Sequence, residues 1–344
     1  MISVGIIGGS GYLGKKLIQF CNEHPYIDDF TVYANTTAGN NLLSVFPEFK
    51  GFVNNKLILP IKDISFSHDV YFFALPHGEA IKLIPSLLSI GKKVIDLSGD
   101  FRLDSAADYE KWYGLEHTAP NLLKEKLYGL ADKKNYYVND AKLIANPGCY
   151  PTAALLSVLP LVLKYGSEII SLSIVAYSGT SGAGKSPKTD LLLSEMDGNV
   201  KAYNVHKHRH EPEILQELKK NGFISHFSFT THLLPISVGI YSTSIAHLST
   251  ELKHEDVIDV YEEYYSSSHF VRLRQTPPEL NWVVGTNFCD INVSVKGNSV
   301  ILTSAIDNLI KGGAGQAIQN MNKLFKWEEF TGLITKREKD VSVY

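Results

Sequence analysis

The sequence predicts an α/β protein: a Rossmann-type domain with a parallel sheet, then an α+β domain whose mixed sheet is mostly antiparallel. Three observations lead there. Short apolar runs alternate with helical stretches as far as residue 148, the pattern of a parallel sheet covered on both faces. A glycine turn joins the first strand to the first helix. Beyond residue 152 the β-rich runs lengthen and several alternate with period two, as strands with one solvated face do.

In the first part, strands are expected over 3–7, 30–34, 70–75, 93–97 and 142–145, and helices over 13–23 and 78–90. In the second, strands are expected over 169–177, 225–236, 239–247, 270–275, 288–295 and 299–304. Helices there are expected over 153–164, 189–196, 211–220 and 255–266. A last helix over 313–325 carries Ala314, Ala317, Ile318, Met321 and Leu324 on one stripe. That stripe needs a core, so the helix is expected to return to the first domain. The expected organisation is a dinucleotide-binding domain over 1–148, completed by the helix-bearing C-terminal segment 313–344, and a second domain over 149–312.

Composition narrows the function classes. The 344 residues hold 33 Lys+Arg against 36 Asp+Glu, a formal charge of −3. That gives no electrostatic reason for a nucleic-acid or anionic-membrane partner. No basic leader precedes the glycine turn, and no run of about 18 apolar residues offers a membrane span. Three scattered cysteines, Cys21, Cys149 and Cys289, are too few for a disulfide framework. The expectation is a soluble cytoplasmic protein acting on a small molecule.

The turn Gly8-Gly9-Ser10-Gly11-Tyr12-Leu13-Gly14 satisfies G-x-G-x-x-G between a strand and a helix. Glycines let backbone N–H groups approach a pyrophosphate, and the helix N-terminus adds partial positive charge. Gly8, Ser10, Gly11, Tyr12 and Leu13 are therefore the candidate cofactor cradle. The second strand ends Tyr33-Ala34-Asn35-Thr36-Thr37 without a carboxylate, while Asp28 and Asp29 are expected to precede that strand. A ribose 2′-hydroxyl is usually held by an acidic residue at the strand end. Its absence favours NADP, with Asn35 beside the ribose.

Cys149 follows a strand within Asn146-Pro147-Gly148-Cys149-Tyr150-Pro151-Thr152 and precedes a helix. Unpaired N–H groups and the helix dipole stabilise a thiolate there, which makes it a candidate nucleophile. Cys21 and Cys289 read as packing residues. The cluster His206-Lys207-His208-Arg209-His210 admits several readings. An extended stretch would turn all three histidines to one face, as a metal site needs, yet no cysteine or carboxylate shares the spacing, so no metal is expected. Otherwise one histidine is acid/base for Cys149 and Arg209 grips an anionic substrate, or the histidines are solvated loop residues. The stretch 179–186 fits G-x-x-x-x-G-K-S, but Pro187 interrupts the helix entry and the expected antiparallel sheet is the wrong setting for a P-loop.

Taken in order, these motifs resemble N-acetyl-γ-glutamyl-phosphate reductases, relatives of aspartate-semialdehyde dehydrogenase. The stretches that carry the resemblance are 8–14, 74–78 (Ala-Leu-Pro-His-Gly), 96–103 (Asp-Leu-Ser-Gly-Asp-Phe-Arg-Leu), 146–152, 178–185, 208–214, 285–290 and 307–322. The resemblance implies Cys149 as nucleophile and His210 as acid/base, with Arg102, Arg209 and Ser178 on the substrate. It places Ser181, Gly182 and Asn308 beside the cofactor. It also implies NADPH-dependent reduction of a γ-acyl phosphate to a semialdehyde through a cysteine thioester, in arginine biosynthesis. The second domain would be catalytic and would pair copies into a homodimer or homotetramer through its sheet. Two positions depart from the pattern: Val238 where an arginine is usual, and Ala131-Asp132 where Pro-Glu is usual.

Overall fold

The computed structural model describes residues 1–138 and 140–333. The chain divides into two compact units. The first comprises Met1–Ala131, Tyr137–Pro147 and the stretch from Gly313 onward; the second comprises Asp132–Tyr136 and Gly148–Gly312.

The first unit is built on strands β1 (Ile2–Ile7), β2 (Ile27–Ala34), β3 (Leu59–Pro60), β4 (Val70–Phe73), β5 (Lys93–Asp96), β6 (Leu127–Tyr128) and β7 (Leu143–Ala145). All pair in parallel, in the order β3-β2-β1-β4-β5-β7-β6. Every residue of β4 is buried, as a strand covered on both faces requires. One face packs Tyr33, Tyr71, Phe73 and Val94 against Ile81, Ile84, Leu87 and Phe101. The helix Gly315–Leu324 packs against the first helix, Tyr12–Glu23. Asn322 Oδ1 meets His24 Nε2 at 2.8 Å. The C-terminal segment thus belongs to the first unit, and its residues 334–344 lie outside those described.

Several sequence expectations change here. β3 and β6 have two residues each, too short to print a periodicity. Asp28 and Asp29 do not precede β2 but lie inside it, near its start. The stretch 78–90 is not one helix. It divides into a 3₁₀ turn, Ala80–Lys82, and a helix, Ile84–Ser89, with Pro85 in the first turn, where its missing N–H costs nothing.

The second unit holds β8 (Ile169–Ser178), β9 (Lys201–Tyr203), β10 (His226–Leu233), β11 (Ile240–Leu248), β12 (Val271–Leu273), β13 (Cys289–Lys296) and β14 (Ser299–Ile306). Their order is β12-β13-β14-β11-β8-β10-β9. β10 pairs with β8 in parallel and β12 with β13 in parallel; the other pairs are antiparallel. β11 alternates buried and half-buried along most of its length, the mark of one covered face.

The covering element is the helix Cys149–Tyr165, apolar on nearly every side and buried along most of its length. It begins at the thiol, where the sequence predicted a start at residue 153. Pro160 lies inside this helix and leaves the carbonyl of Leu156, four residues back, without its helical donor. The Tyr265 hydroxyl, from the helix His254–Tyr265, donates to that carbonyl, and Tyr261 donates to the Ser157 carbonyl at 2.6 Å. Tyr265 thereby replaces the bond that the proline removes. The expected helix over 189–196 is a 3₁₀ turn, Thr189–Leu191, followed by one helical turn, Leu193–Met196.

Candidate active site

In the first unit, the glycine turn sits where the strand order reverses direction, between β1 and β4. Open parallel sheets bind ligands outside the strand ends at such a point. Each glycine has its own reason. Gly8 has φ +87°, and a Cβ there would come within 2.3 Å of the Ala74 carbonyl oxygen. A Cβ on Gly14 would strike Gly8 and Gly9 at about 2.5 Å. Gly11 differs: a Cβ would meet nothing nearer than 3.7 Å, so its surface is open to a ligand. Gly11 caps the helix Tyr12–Glu23, whose first turn has no acidic residue and no side-chain cap. The turn therefore fits an anionic pyrophosphate. Ser10, Gly11 and Leu13 are half-buried around it, while Tyr12 and, at the end of β2, Asn35 are exposed.

The neighbouring loop 96–103 is held by buried carboxylates. Asp100 accepts from the Gly78 N–H at 2.7 Å, the Ile81 N–H at 3.1 Å and the Tyr109 hydroxyl at 2.8 Å. Asp96 accepts from Ser98 twice, and burial together with Asp100 pushes its carboxyl up to about 7. Arg102, expected on the substrate, is 6% exposed. Its Nε donates to the Asn146 carbonyl at 2.9 Å and its Nη2 to the Leu97 carbonyl at 2.7 Å. This side chain holds the backbone that leads into Pro147 and Gly148.

In the second unit, Cys149 is the first residue of its helix and Gly148 the N-cap. His210 likewise opens the helix His210–Lys220. The two helix starts meet at Gly148. A Cβ on that glycine would lie 2.4 Å from His210 Nε2, so the imidazole rests against its Cα. Gly148 has φ −65° and ψ 158°, a conformation open to any residue; the glycine is there to admit the ring. Gly148→Ala should therefore leave the fold intact, displace His210 and lower kcat by about 10²-fold. Circular dichroism with steady-state kinetics checks both halves.

One residue that the sequence reading missed completes this corner. Glu213, fully buried, accepts the Gly148 N–H on Oε1 at 2.8 Å. It lies one turn beyond His210 on the same helix face. The available signal was a carboxylate on the buried side of an amphipathic helix. A Cβ on Gly312 would come within 2.8 Å of Cys149 Cβ and 3.1 Å of its Cα, so this glycine packs against the root of the Cys149 side chain. Cys21 and Cys289 are fully buried and burial pushes their thiols well up; no cysteine is in a disulfide.

The histidines are not in an extended segment. Asn204 has φ +50° and His206 φ +55°, so the chain turns and the exposed His206 leaves the group. Among the described residues no three His, Cys, Asp or Glu side chains gather as a metal site would need. His208 and His210 stay together, ring centroids 4.9 Å apart, and His208 Nδ1 accepts the His210 N–H at 3.1 Å. Burial, with Arg209 beside it, lowers the His208 pKa to about 4, which keeps it neutral near pH 7. The ring of Tyr150 stands edge-on to both histidines, and its hydroxyl pairs with that of Tyr203 at 2.9 Å. Arg209 is exposed at the N-cap of the His210 helix.

Ser178, Ser181, Gly182 and Asn308 come together. Gly179, Thr180 and Ser181 donate backbone bonds to Gly239, Ile236 and Ser237. Asn308 ties the two loops, accepting the Gly239 N–H at 2.7 Å and donating to Ser181 Oγ at 3.0 Å. Ser178 is buried, its hydroxyl donating to the Gly179 carbonyl. The P-loop-like stretch runs through a 3₁₀ turn, Thr180–Ala183, after a strand of a mixed sheet, which is no βαβ phosphate cradle.

Comparison with known proteins gives the family. A semialdehyde dehydrogenase NAD-binding domain model matches residues 3–137, and a semialdehyde dehydrogenase dimerisation domain model matches 149–308. The N-acetyl-gamma-glutamyl-phosphate reductase of Clostridium novyi (strain NT) is 41% identical over 344 residues, covering 97% of this chain and 98% of the relative. The chain belongs to the N-acetyl-gamma-glutamyl-phosphate reductase family. Another member of that family, from Bacillus subtilis (strain 168), is 39% identical over 96% of this chain and 98% of its own. Among solved structures, aspartate semialdehyde dehydrogenase II of Vibrio cholerae aligns with TM-score 0.72 at 16% identity, over 95% of this chain and 98% of that one. The Candida albicans aspartate semialdehyde dehydrogenase with NADP aligns with TM-score 0.70 at 15% identity, over 95% and 98%. At those identities the likeness concerns the fold alone. Membership also implies a nicotinamide cofactor, and the matched NAD-binding domain includes the glycine turn.

Proposed function

We propose that the protein reduces N-acetyl-glutamyl 5-phosphate to N-acetyl-glutamate 5-semialdehyde with NADPH, a step of arginine biosynthesis in the cytoplasm. The observation that carries this reading is Cys149 at a helix start, with the His210 imidazole against the preceding Gly148. A thiol in that position loses its proton readily, because the helix N-terminus favours the anion. His210 accepts that proton, and the thiolate attacks the acyl carbon. The C–S bond forms, the C–O bond to phosphate breaks, and a thioester remains on Cys149. When bound, NADPH supplies the hydride that reduces the thioester carbon. His210 returns a proton as the hemithioacetal collapses, releasing aldehyde and regenerating the thiol. Arg209, exposed at the helix start, grips an anionic end of the substrate.

The test runs the reaction backwards: phosphate-dependent reduction of NADP⁺ with N-acetyl-glutamate semialdehyde, alongside the N-succinyl compound. Activity with the acetyl compound that needs phosphate supports the reading; aldehyde oxidation indifferent to phosphate overturns it.

NADPH over NADH rests on the end of β2. Inside the strand, Asp29 pairs with Lys56, and after Ala34 the chain presents Asn35, Thr36 and Thr37. Asn35→Asp should repel a 2′-phosphate and shift the ratio of kcat/KM values towards NADH by about tenfold, roughly 1.4 kcal/mol. An unchanged ratio would place ribose recognition elsewhere. The assembly fits a homodimer or homotetramer formed on the open face of the second sheet, where Ile170 and Ile301 are exposed. No described helix is long and apolar enough to cross a membrane.

A further inference from the structure

Ile310–Ala314 forms a π-helical turn, in which the Gly312 N–H bonds five residues back to the Asp307 carbonyl at 2.9 Å. Such turns shift side-chain register by one residue and recur at functional positions. Here the turn carries the glycine that packs against Cys149 Cα and Cβ.

Its neighbour Lys311 is fully buried and ion-paired with the carboxylate of Asp132, both side chains 0% exposed. Asp132 also accepts the Ser268 hydroxyl at 2.6 Å, and the ammonium lies 5.3 Å from the centre of the Phe270 ring. Asp132 arrives on a short excursion, Asp132–Tyr136, that leaves the first unit's chain to join the second unit. Stripping two charges of water costs several kcal/mol per ion, and apolar replacements of such pairs are often equally stable. Stability is thus a weak reason for this pair.

We propose that the Lys311–Asp132 pair is a positioning device for Cys149: it anchors the π-turn so that Gly312 holds the thiol side chain in line for attack. The pair acts through Gly312, not on the substrate, and the proposal rests on Cys149 being the nucleophile.

The test compares Lys311→Met with the double variant Asp132→Asn/Lys311→Met. Turnover is expressed per thiol titrated with iodoacetamide, since Cys21 and Cys289 are buried. A misplaced reacting group costs about 10²-fold in rate. Both variants should lose about that factor in kcat, with KM changed less than about threefold. The double variant, with no unpaired buried charge, should recover thermal stability without recovering kcat. Full kcat per titrated thiol in the double variant would overturn the proposal, because the pair would then serve stability alone. Should the single variant fail to fold, Ser268→Ala removes one bond to Asp132 and should lower kcat by about threefold to tenfold at constant KM; no change overturns the proposal. Cys149→Ser run in parallel separates the two readings: turnover there removes the nucleophile assignment itself, and with it the proposal.

Discussion

Cys149→Ser is expected to abolish turnover, lowering kcat by about 10⁴-fold or more, while NADPH affinity stays within a few-fold. A serine hydroxyl is not ionised by a helix N-terminus at neutral pH, and an alkoxide is a far worse leaving group than a thiolate. Both halves of the proposed reaction, attack and collapse, therefore fail together. The proposed cofactor cradle at Gly8–Gly14 is formed by other residues in the other unit, so binding should persist. Single-turnover phosphate release, with NADPH fluorescence titration, measures the two separately. Near-normal turnover of the variant would sink the nucleophile assignment.

His210→Asn carries the second largest effect. A general acid–base group contributes about 10²–10⁴ in rate, and kcat should fall by that factor. His208→Asn should change it several-fold at most. The structure gives a reason that the sequence could not: the His208 pKa is lowered to about 4, so near pH 7 it lacks the imidazolium form that a general acid needs. Its task is to accept the His210 N–H. The sign of its effect on stability also follows. A histidine whose folded pKa is depressed keeps the unfolded chain better protonated between about 6.5 and 4, so stability falls as pH drops through that window. If His208→Asn proved the more damaging variant, the acid/base role would move two residues and the thioester chemistry would stand.

Much of this site was legible because its signals are local. The glycine turn needs only neighbours within one strand and one helix, and Cys149 needs only the glycine before it and the helix after it. His210 emerged from the resemblance, and its geometry came from the fold. Asn204 and His206 take positive φ, which these residue types tolerate better than most but do not require, so the predicted extended histidine row does not form. Glu213 was missed for another reason: its place on the buried side of the helix was a signal, but an acidic residue in a first helical turn reads as a partner of the helix dipole, and nothing in the sequence says that it faces Gly148. Asp132 and Lys311 stand 179 positions apart, a pairing that no local pattern encodes. β3 and β6, with two residues each, exist because β2 and β7 offer free edges to pair with.

The C-terminal segment has a consequence for how the chain matures. Asn320 donates to the carbonyl of Gly129 at 2.8 Å and to Asn146 Oδ1 at 3.1 Å, and Asn146 donates to the carbonyl of Gly313 at 3.2 Å. The first sheet is therefore packed by residues synthesised after every strand of both sheets. Translation proceeds at about 5–20 residues per second, so the amino-terminal strands wait on the order of ten seconds for the helix that covers them. The second unit, nearly contiguous from Gly148 to Gly312, has all its strands in hand before that helix emerges. Order of synthesis and order of completion run in opposite directions. During that interval the apolar strands of the nascent amino-terminal half are the chain's exposed liability and the natural client surface for a chaperone.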